Sequence, residues 1–171
     1  MNARLISRRN YPANMVTHLQ ALASARPEDT ALIVVQPEGL DDVAVDKKID
    51  YATLDQHVRA LAAVLQERFA AGERALLLLD NDEHYVIGFF ACLYAGLIAV
   101  PAFPPESIRE RHLARLFAIA ADARACCVLT TSEILPLIGS AAAEQFSQAK
   151  LIAVDAVKPD RASAWRPYMS R

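Results

Sequence analysis

Asp80 and Asp82 follow directly on the aliphatic run Ala75 to Leu79. A carboxylate pair at the end of a buried strand could bind a cation or a hydroxylated ligand, because open parallel sheets place their ligands there. The same residues also stand where a helix would start, and a helix N-terminus favours acidic side chains, so capping is the expected role. Thr130, Thr131 and Ser132 hold the equivalent place after the run Cys126 to Leu129 and could donate hydrogen bonds to a ligand; a cap again explains them more simply. His18, His57, His84 and His112 each fall on an expected helix or helix start with no pairing at metal-ligand spacing, so they read as surface or partly buried helix residues. Arg109, Arg111 and Arg115 lie on one expected helix and would suit an acidic partner, although an exposed charge run is more simply a solvated face.

Phosphate-binding loops need clustered glycines, so that backbone N–H groups can approach the anion. Gly39, Gly72, Gly88, Gly96 and Gly139 are scattered, and the sequence contains no G-x-G-x-x-G, no G-x-x-x-x-G-K-[ST] and no G-x-S-x-G. Cys92, Cys126 and Cys127 show no C-x-x-C spacing and have apolar neighbours, as expected of reduced, buried thiols in the cytosol rather than a disulfide framework or a zinc site. From the residues alone, no catalytic, cofactor-binding or metal-binding side chain is assigned.

The elements that would position such groups are those of one α/β domain. With 54% hydrophobic and 22% charged residues, the chain is neither disordered nor a multi-span membrane protein. A net charge of −2 offers no electrostatic footprint for nucleic acid. The first acidic residue is Glu28, a bias shared with organellar transit peptides, but Met15, Leu19, Leu22 and Ala23 recur at the spacing of an amphipathic helix that faces a core. The nearly apolar stretch from Tyr85 to Phe103 approaches the length of a membrane span. Gly88, Gly96 and Pro101 punctuate it, so it is expected to be a buried helix followed by a buried strand.

Short apolar runs alternate with helical stretches, the pattern of parallel strands joined by crossover helices on both faces of a sheet. The runs are Ala31 to Val35, Ala75 to Leu79, Leu97 to Val100, Cys126 to Leu129 and Leu151 to Val154. Between them, Thr53 with Gln56 predicts a capped helix carrying Leu54, Val58, Leu61 and Leu65 inward and closed by Gly72. A second helix starts after Asp80-Asn81-Asp82 and stops at Gly96. A third places Leu113, Leu116, Phe117 and Ala120 inward, and Thr130 with Glu133 predicts a brief helix interrupted by Pro136. From Pro159 through Tyr168 no period is visible, and a connection is expected.

Gly72-Glu73-Arg74-Ala75-Leu76-Leu77-Leu78-Leu79, Phe89-Phe90-Ala91-Cys92-Leu93-Tyr94-Ala95-Gly96 and Val100-Pro101-Ala102-Phe103-Pro104-Pro105 together resemble the fatty-acyl-AMP ligases. Upstream, Ile49-Asp50-Tyr51-Ala52-Thr53-Leu54-Asp55 is similar to the L-T-Y-x-E-L-D motif of the wider adenylate-forming superfamily. Ile119-Ala120-Ala121-Asp122-Ala123 and Val128-Leu129-Thr130 continue in register. V-P-A-[FY]-P-P after C-L-Y-A-G points to the fatty-acyl-AMP branch, and Asp80-Asn81-Asp82 departs from the Pro-Pro-Gly usual at that turn. The resemblance implies that residues 1–171 form an incomplete N-terminal subdomain of the adenylation domain, ending before the phosphate loop Y-T-S-G-S-T-G-x-P-K-G. It implies a parent enzyme that uses ATP, with Mg²⁺, to turn a fatty acid into an acyl-adenylate for an acyl carrier protein in polyketide, nonribosomal peptide or lipid synthesis. The remainder of the ligase is then a partner, and the piece alone is expected to be inactive. The alternative is a non-catalytic docking module derived from such a ligase.

Overall fold

The computed structural model describes residues 14–35, 46–102, 110–136, 138 and 149–168. The elements run α1 (Met15–Ala25), β1 (Thr30–Val34), β2 (Lys47–Asp50), α2 (Tyr51–Gln66), β3 (Arg74–Leu78), α3 (Glu83–Ala95), β4 (Ile98–Ala102), α4 (Glu110–Ala123), β5 (Cys127–Thr130), β6 (Lys150–Ala153) and a 3₁₀ helix, Pro159–Ala164.

Four strands form the expected parallel sheet in the order β4-β3-β5-β6. Alternation along β3 divides the core. Ala75, Leu77 and Leu79 join the cluster with Val58, Leu61, Leu65 and Tyr94 from α2 and α3. Leu76 and Leu78 point the other way, to Leu116 of α4 and to Ile134 and Ile138. Leu76 to Leu78 of β3 and the following Leu79 are each at most 3% exposed, and full burial of such a side chain contributes about 1.5–3 kcal/mol. A strand buried on both faces has no polar positions to alternate with, which is why Ala75 to Leu79 is continuously aliphatic. Pro101 is accommodated because β4 lies at the sheet edge.

The run at Ala31 to Val35 departs from expectation. It does not join the parallel sheet; β1 pairs antiparallel with β2 in a separate two-stranded sheet. Ile33 is 50% exposed there and Val35 72%, so this run is a surface strand whose partner, Lys47-Lys48-Ile49-Asp50, is too polar to be read as one.

Local starts and stops also shift. α2 begins at Tyr51, because the Asp50 side chain accepts from Thr53 N over 2.7 Å; Asp50, not Thr53, is the cap. Hydrogen bonding from Thr53 holds the Asp50 carboxyl below its usual range. Gly72 does not close α2, which stops at Gln66. With φ +87° it makes the turn into β3, its N–H donating to Gly96 O at 2.9 Å. Gly96 ends α3 as expected, with φ +77°. In α1, Leu19 is the buried residue and Val16 packs on the core, whereas Met15 is 55% exposed.

The Tyr85 to Phe103 stretch resolves into α3, Gly96 and β4 as far as Ala102, with Phe103 outside the described residues. Among the described residues, no helix is long and apolar enough to cross a membrane. Pro159 to Tyr168 is more than a connection: its 3₁₀ helix packs on α2, and Trp165 is buried. Gly39, Gly139, Pro104, Pro105 and Arg109 lie outside the described residues, as do the side chains of Arg111, His112 and Leu113.

Candidate functional site

Two groups of polar side chains are held by this frame, one at the carboxyl ends of the strands and one where the C-terminal segment docks on α2 and α3.

At the strand ends, Asp82 caps α3 by accepting from His84 N at 2.8 Å, and its second oxygen lies 3.1 Å from His84 Nδ1. The capping expectation for Asp82 therefore holds, while Asp80 is exposed beside it. Glu83, the first residue of α3, is only 9% exposed, and Lys47 Nζ from β2 donates to its Oε1. Burial works to raise the Glu83 carboxyl, but the Lys47 hydrogen bond and charge outweigh it and hold the group below its usual value. His57 of α2 is held low chiefly by burial, then by the positive charge of Lys47 and His84.

Lys47, His57, Glu83 and His84, with Asp155 after β6, line a cavity of about 250 Å³ together with the apolar Ile49, Leu54, Ile87 and Val154. That is smaller than the roughly 300–1,000 Å³ that encloses a drug-sized ligand, so the cavity alone does not enclose a nucleotide. Asp82, Glu83 and His84 bring ligand atoms within 4.8 Å of one another. Two of them already serve the helix N-terminus and Lys47, and a hard cation such as Mg²⁺ prefers an all-oxygen shell, so the trio does not fit that ion.

The hydroxyl residues after β5 separate. Thr131 is the cap, its Oγ1 accepting from Ile134 N at 3.4 Å, and Ser132 N donates to Asp155 Oδ1 at 2.8 Å. Thr130, expected to cap, is instead the last residue of β5, fully buried on the α4 face with its Oγ1 unpartnered. Helical hydrogen bonds, Leu135 N to Thr131 O and Ile138 N to Ile134 O, run on both sides of Pro136. The three cysteines are free. Burial raises all three thiols, Cys92 to about 12, and Cys126 is the one partly exposed. Arg115 is exposed on α4. His18 is exposed on α1.

The second group was not singled out from the sequence. Asp55, 7% exposed on α2, accepts from the Tyr94 hydroxyl at 2.8 Å. Burial, then the Asp55 carboxylate, pushes that phenol far above its usual value, so it stays a donor. Arg59 Nε lies 2.7 Å from Asp55 Oδ2, an ion pair although that N–H is aimed at no acceptor. The guanidinium stands 5.0 Å over the Trp165 ring, and Trp165 Nε1 donates to Tyr94 O at 3.1 Å. A signal was available in hindsight: Asp55 and Arg59 are one helical turn apart, the spacing of a facing ion pair.

Similarity to known proteins now bears on these sites. The model of the family described as AMP-binding enzyme matches residues 19–167. The chain is 36% identical over 122 residues to the medium-chain-fatty-acid–[acyl-carrier-protein] ligase JamA of Moorena producens, covering 69% of this chain and 21% of that protein. It is 32% identical over 157 residues to the long-chain-fatty-acid–AMP ligase FadD32 of Mycolicibacterium smegmatis, covering 90% and 24%. Among solved structures, the fatty acyl-adenylate ligase from L. pneumophila in complex with acyl adenylate and pyrophosphate superposes with a TM-score of 0.79 at 28% identity, covering 90% of this chain and 25% of that one. A benzoate CoA ligase from Burkholderia xenovorans shares the fold at 20% identity and a TM-score of 0.63, over 90% of this chain and 29% of that one. The chain thus spans about a fifth to a quarter of the curated relatives it matches. The docked Trp165 segment and the parallel sheet fall within the matched range, and by that match the chain belongs to the AMP-binding enzyme family.

Proposed function

We propose that residues 1–171 are the N-terminal part of the adenylation domain of a cytoplasmic fatty-acyl-AMP ligase. The observation that carries this reading is the superposition, over 90% of the chain, on a ligase solved with acyl adenylate and pyrophosphate. The Val100-Pro101-Ala102-Phe103-Pro104-Pro105 segment favours the same branch.

In the parent enzyme, a fatty-acid carboxylate oxygen attacks the α-phosphorus of ATP and pyrophosphate leaves. The thiol of an acyl carrier protein's phosphopantetheine then attacks the acyl carbon, and AMP leaves. The Mg²⁺ that the parent would use with ATP would not be held by Asp82, Glu83 and His84, whose donor set does not suit it. The work of this piece is structural: β3 and α2 fix a rigid wall, and the Trp165 segment is seated against it. No phosphate-loop motif lies in the sequence, so the piece by itself is inactive.

Fatty-acid-dependent exchange of pyrophosphate into ATP tests this. The full-length enzyme exchanges with medium- or long-chain fatty acids, and purified 1–171 does not exceed background. Turnover by 1–171 overturns its proposed inactivity, and a full-length protein inert toward every fatty acid overturns the ligase reading.

A further inference from the structure

Residues 159–168 add no strand to the sheet, yet they are held more firmly than a connection requires. Trp165 is 8% exposed, its ring 5.2 Å from that of Tyr94 and its N–H bonded to the Tyr94 carbonyl. The next residue is gripped through its backbone. Arg166 N donates to Gln66 Oε1 at 3.1 Å, and Gln66 Nε2 donates to Arg166 O at 2.8 Å. One side-chain amide thereby takes both backbone groups of one residue, as a neighbouring strand would. Arg161 pairs with Glu67, the residue after Gln66. Beyond Arg166, the ring of Tyr168 lies over Gly96, where a Cβ would come within 2.8 Å of it.

Burying an indole fixes where a segment sits. Bonding the N–H and C=O of the following residue to one amide fixes its direction as well, because those groups point to the same side of an extended backbone and the amide's acceptor and donor can meet them in one order only. A linker that only had to span a gap would need neither. We propose that Gln66, Arg59, Asp55 and Tyr94, acting through Trp165 and Arg166, are positioning residues that set the exit point and direction of the chain entering the nucleotide-binding part of the ligase. The proposal rests on the adenylation reading above, in which a phosphate-binding loop follows this segment.

The test uses the full-length enzyme with Gln66→Ala and Gln66→Glu, and Trp165→Phe as a variant that keeps an aromatic ring, though a smaller one, and loses the N–H. Pyrophosphate exchange gives KM for ATP, KM for fatty acid and the maximal rate, and hydrogen exchange reads the Arg166 amide. Removing the paired hydrogen bonds is expected to raise KM for ATP about tenfold, with KM for fatty acid unchanged, and to speed exchange at Arg166 by a similar factor. Gln66→Glu keeps an acceptor for Arg166 N and should recover part of the loss. If Gln66→Ala frees the Arg166 amide while KM for ATP stays at the wild-type value, positioning is overturned. A parallel loss of every kinetic parameter together with thermal stability, unrescued by Gln66→Glu, overturns it too, since that marks a merely structural role. A wild-type enzyme without exchange activity sinks the adenylation reading itself, an outcome separate from either.

Discussion

The indole N–H of Trp165 reaches back to the main-chain carbonyl of Tyr94 over 3.1 Å, joining residues 71 positions apart in the chain. The same tyrosine's hydroxyl is tied to Asp55 at its other end, so the side chain and backbone of Tyr94 couple α2, α3 and the C-terminal segment.

Tyr94→Phe keeps the ring against Trp165 and removes only the hydroxyl. Asp55 retains Arg59 but loses a buried donor, and such a loss costs about 1–3 kcal/mol. The thermal midpoint should fall by roughly 2–4 °C for each kcal/mol lost. A midpoint equal to that of wild type would show that water replaces the hydroxyl.

Gly72 and Gly96 both have positive φ, but only Gly96 is crowded, by the Tyr168 ring. Alanine at Gly72 should therefore cost backbone strain alone, about 1–2 kcal/mol. Alanine at Gly96 should cost more and also displace the half-exposed Tyr168 ring, read as faster chymotryptic cleavage after Tyr168. Equal destabilisation of the two variants would contradict the packing of Tyr168.

His57 is held below its ordinary value of 6.5, first by burial and then by Lys47 and His84. The unfolded chain therefore takes up a proton at this site more readily than the folded one. Above the unfolded value both forms are neutral and the site has no effect. As pH falls below 6.5 toward the lower folded value, stability is lost. His57→Gln should flatten this part of the stability–pH curve, and an unchanged slope in that window would rule out His57 as its source.

Burial pushes the Cys92 thiol up to about 12 and raises Cys127 further, whereas Cys126 is partly exposed. Alkylation of the native protein at mildly alkaline pH should label Cys126 first and reach Cys92 and Cys127 only on unfolding, as followed by peptide mass spectrometry. Early labelling of Cys92 would mean that α3 opens locally.

How much of this was legible in the sequence depended on burial. β3, α3 and β4 could be read because continuous apolar runs admit few alternatives, and the inward face of α2 because Leu54, Val58, Leu61 and Leu65 repeat at helical spacing. β2 was hidden because Lys47 and Lys48 lie on a solvent-facing hairpin, and a strand exposed that far carries no apolar signal. The start of α2 was misplaced by three residues because Thr53 and Asp50 are both good caps, and only the backbone decides between them. Thr130 and Thr131 are chemically interchangeable as caps in the same way; the length of β5 assigns one to the core and the other to the turn. The Trp165 segment was opaque because a short 3₁₀ helix has no lasting period, and its partners lie far away in sequence.

The central place of β3 in a parallel sheet also dictates a timetable on the ribosome. Its partners are all made after it: Leu77 waits first for Pro101 and then for Leu129. Synthesis proceeds at about 5–20 residues per second, so for several seconds Leu76 and Leu78 have no α4 to cover them. During that interval the nascent chain carries a bare aliphatic ridge, the kind of surface that invites aggregation. Trp165 follows all four of these strands in sequence and closes onto α2 and α3 after β6 has been made.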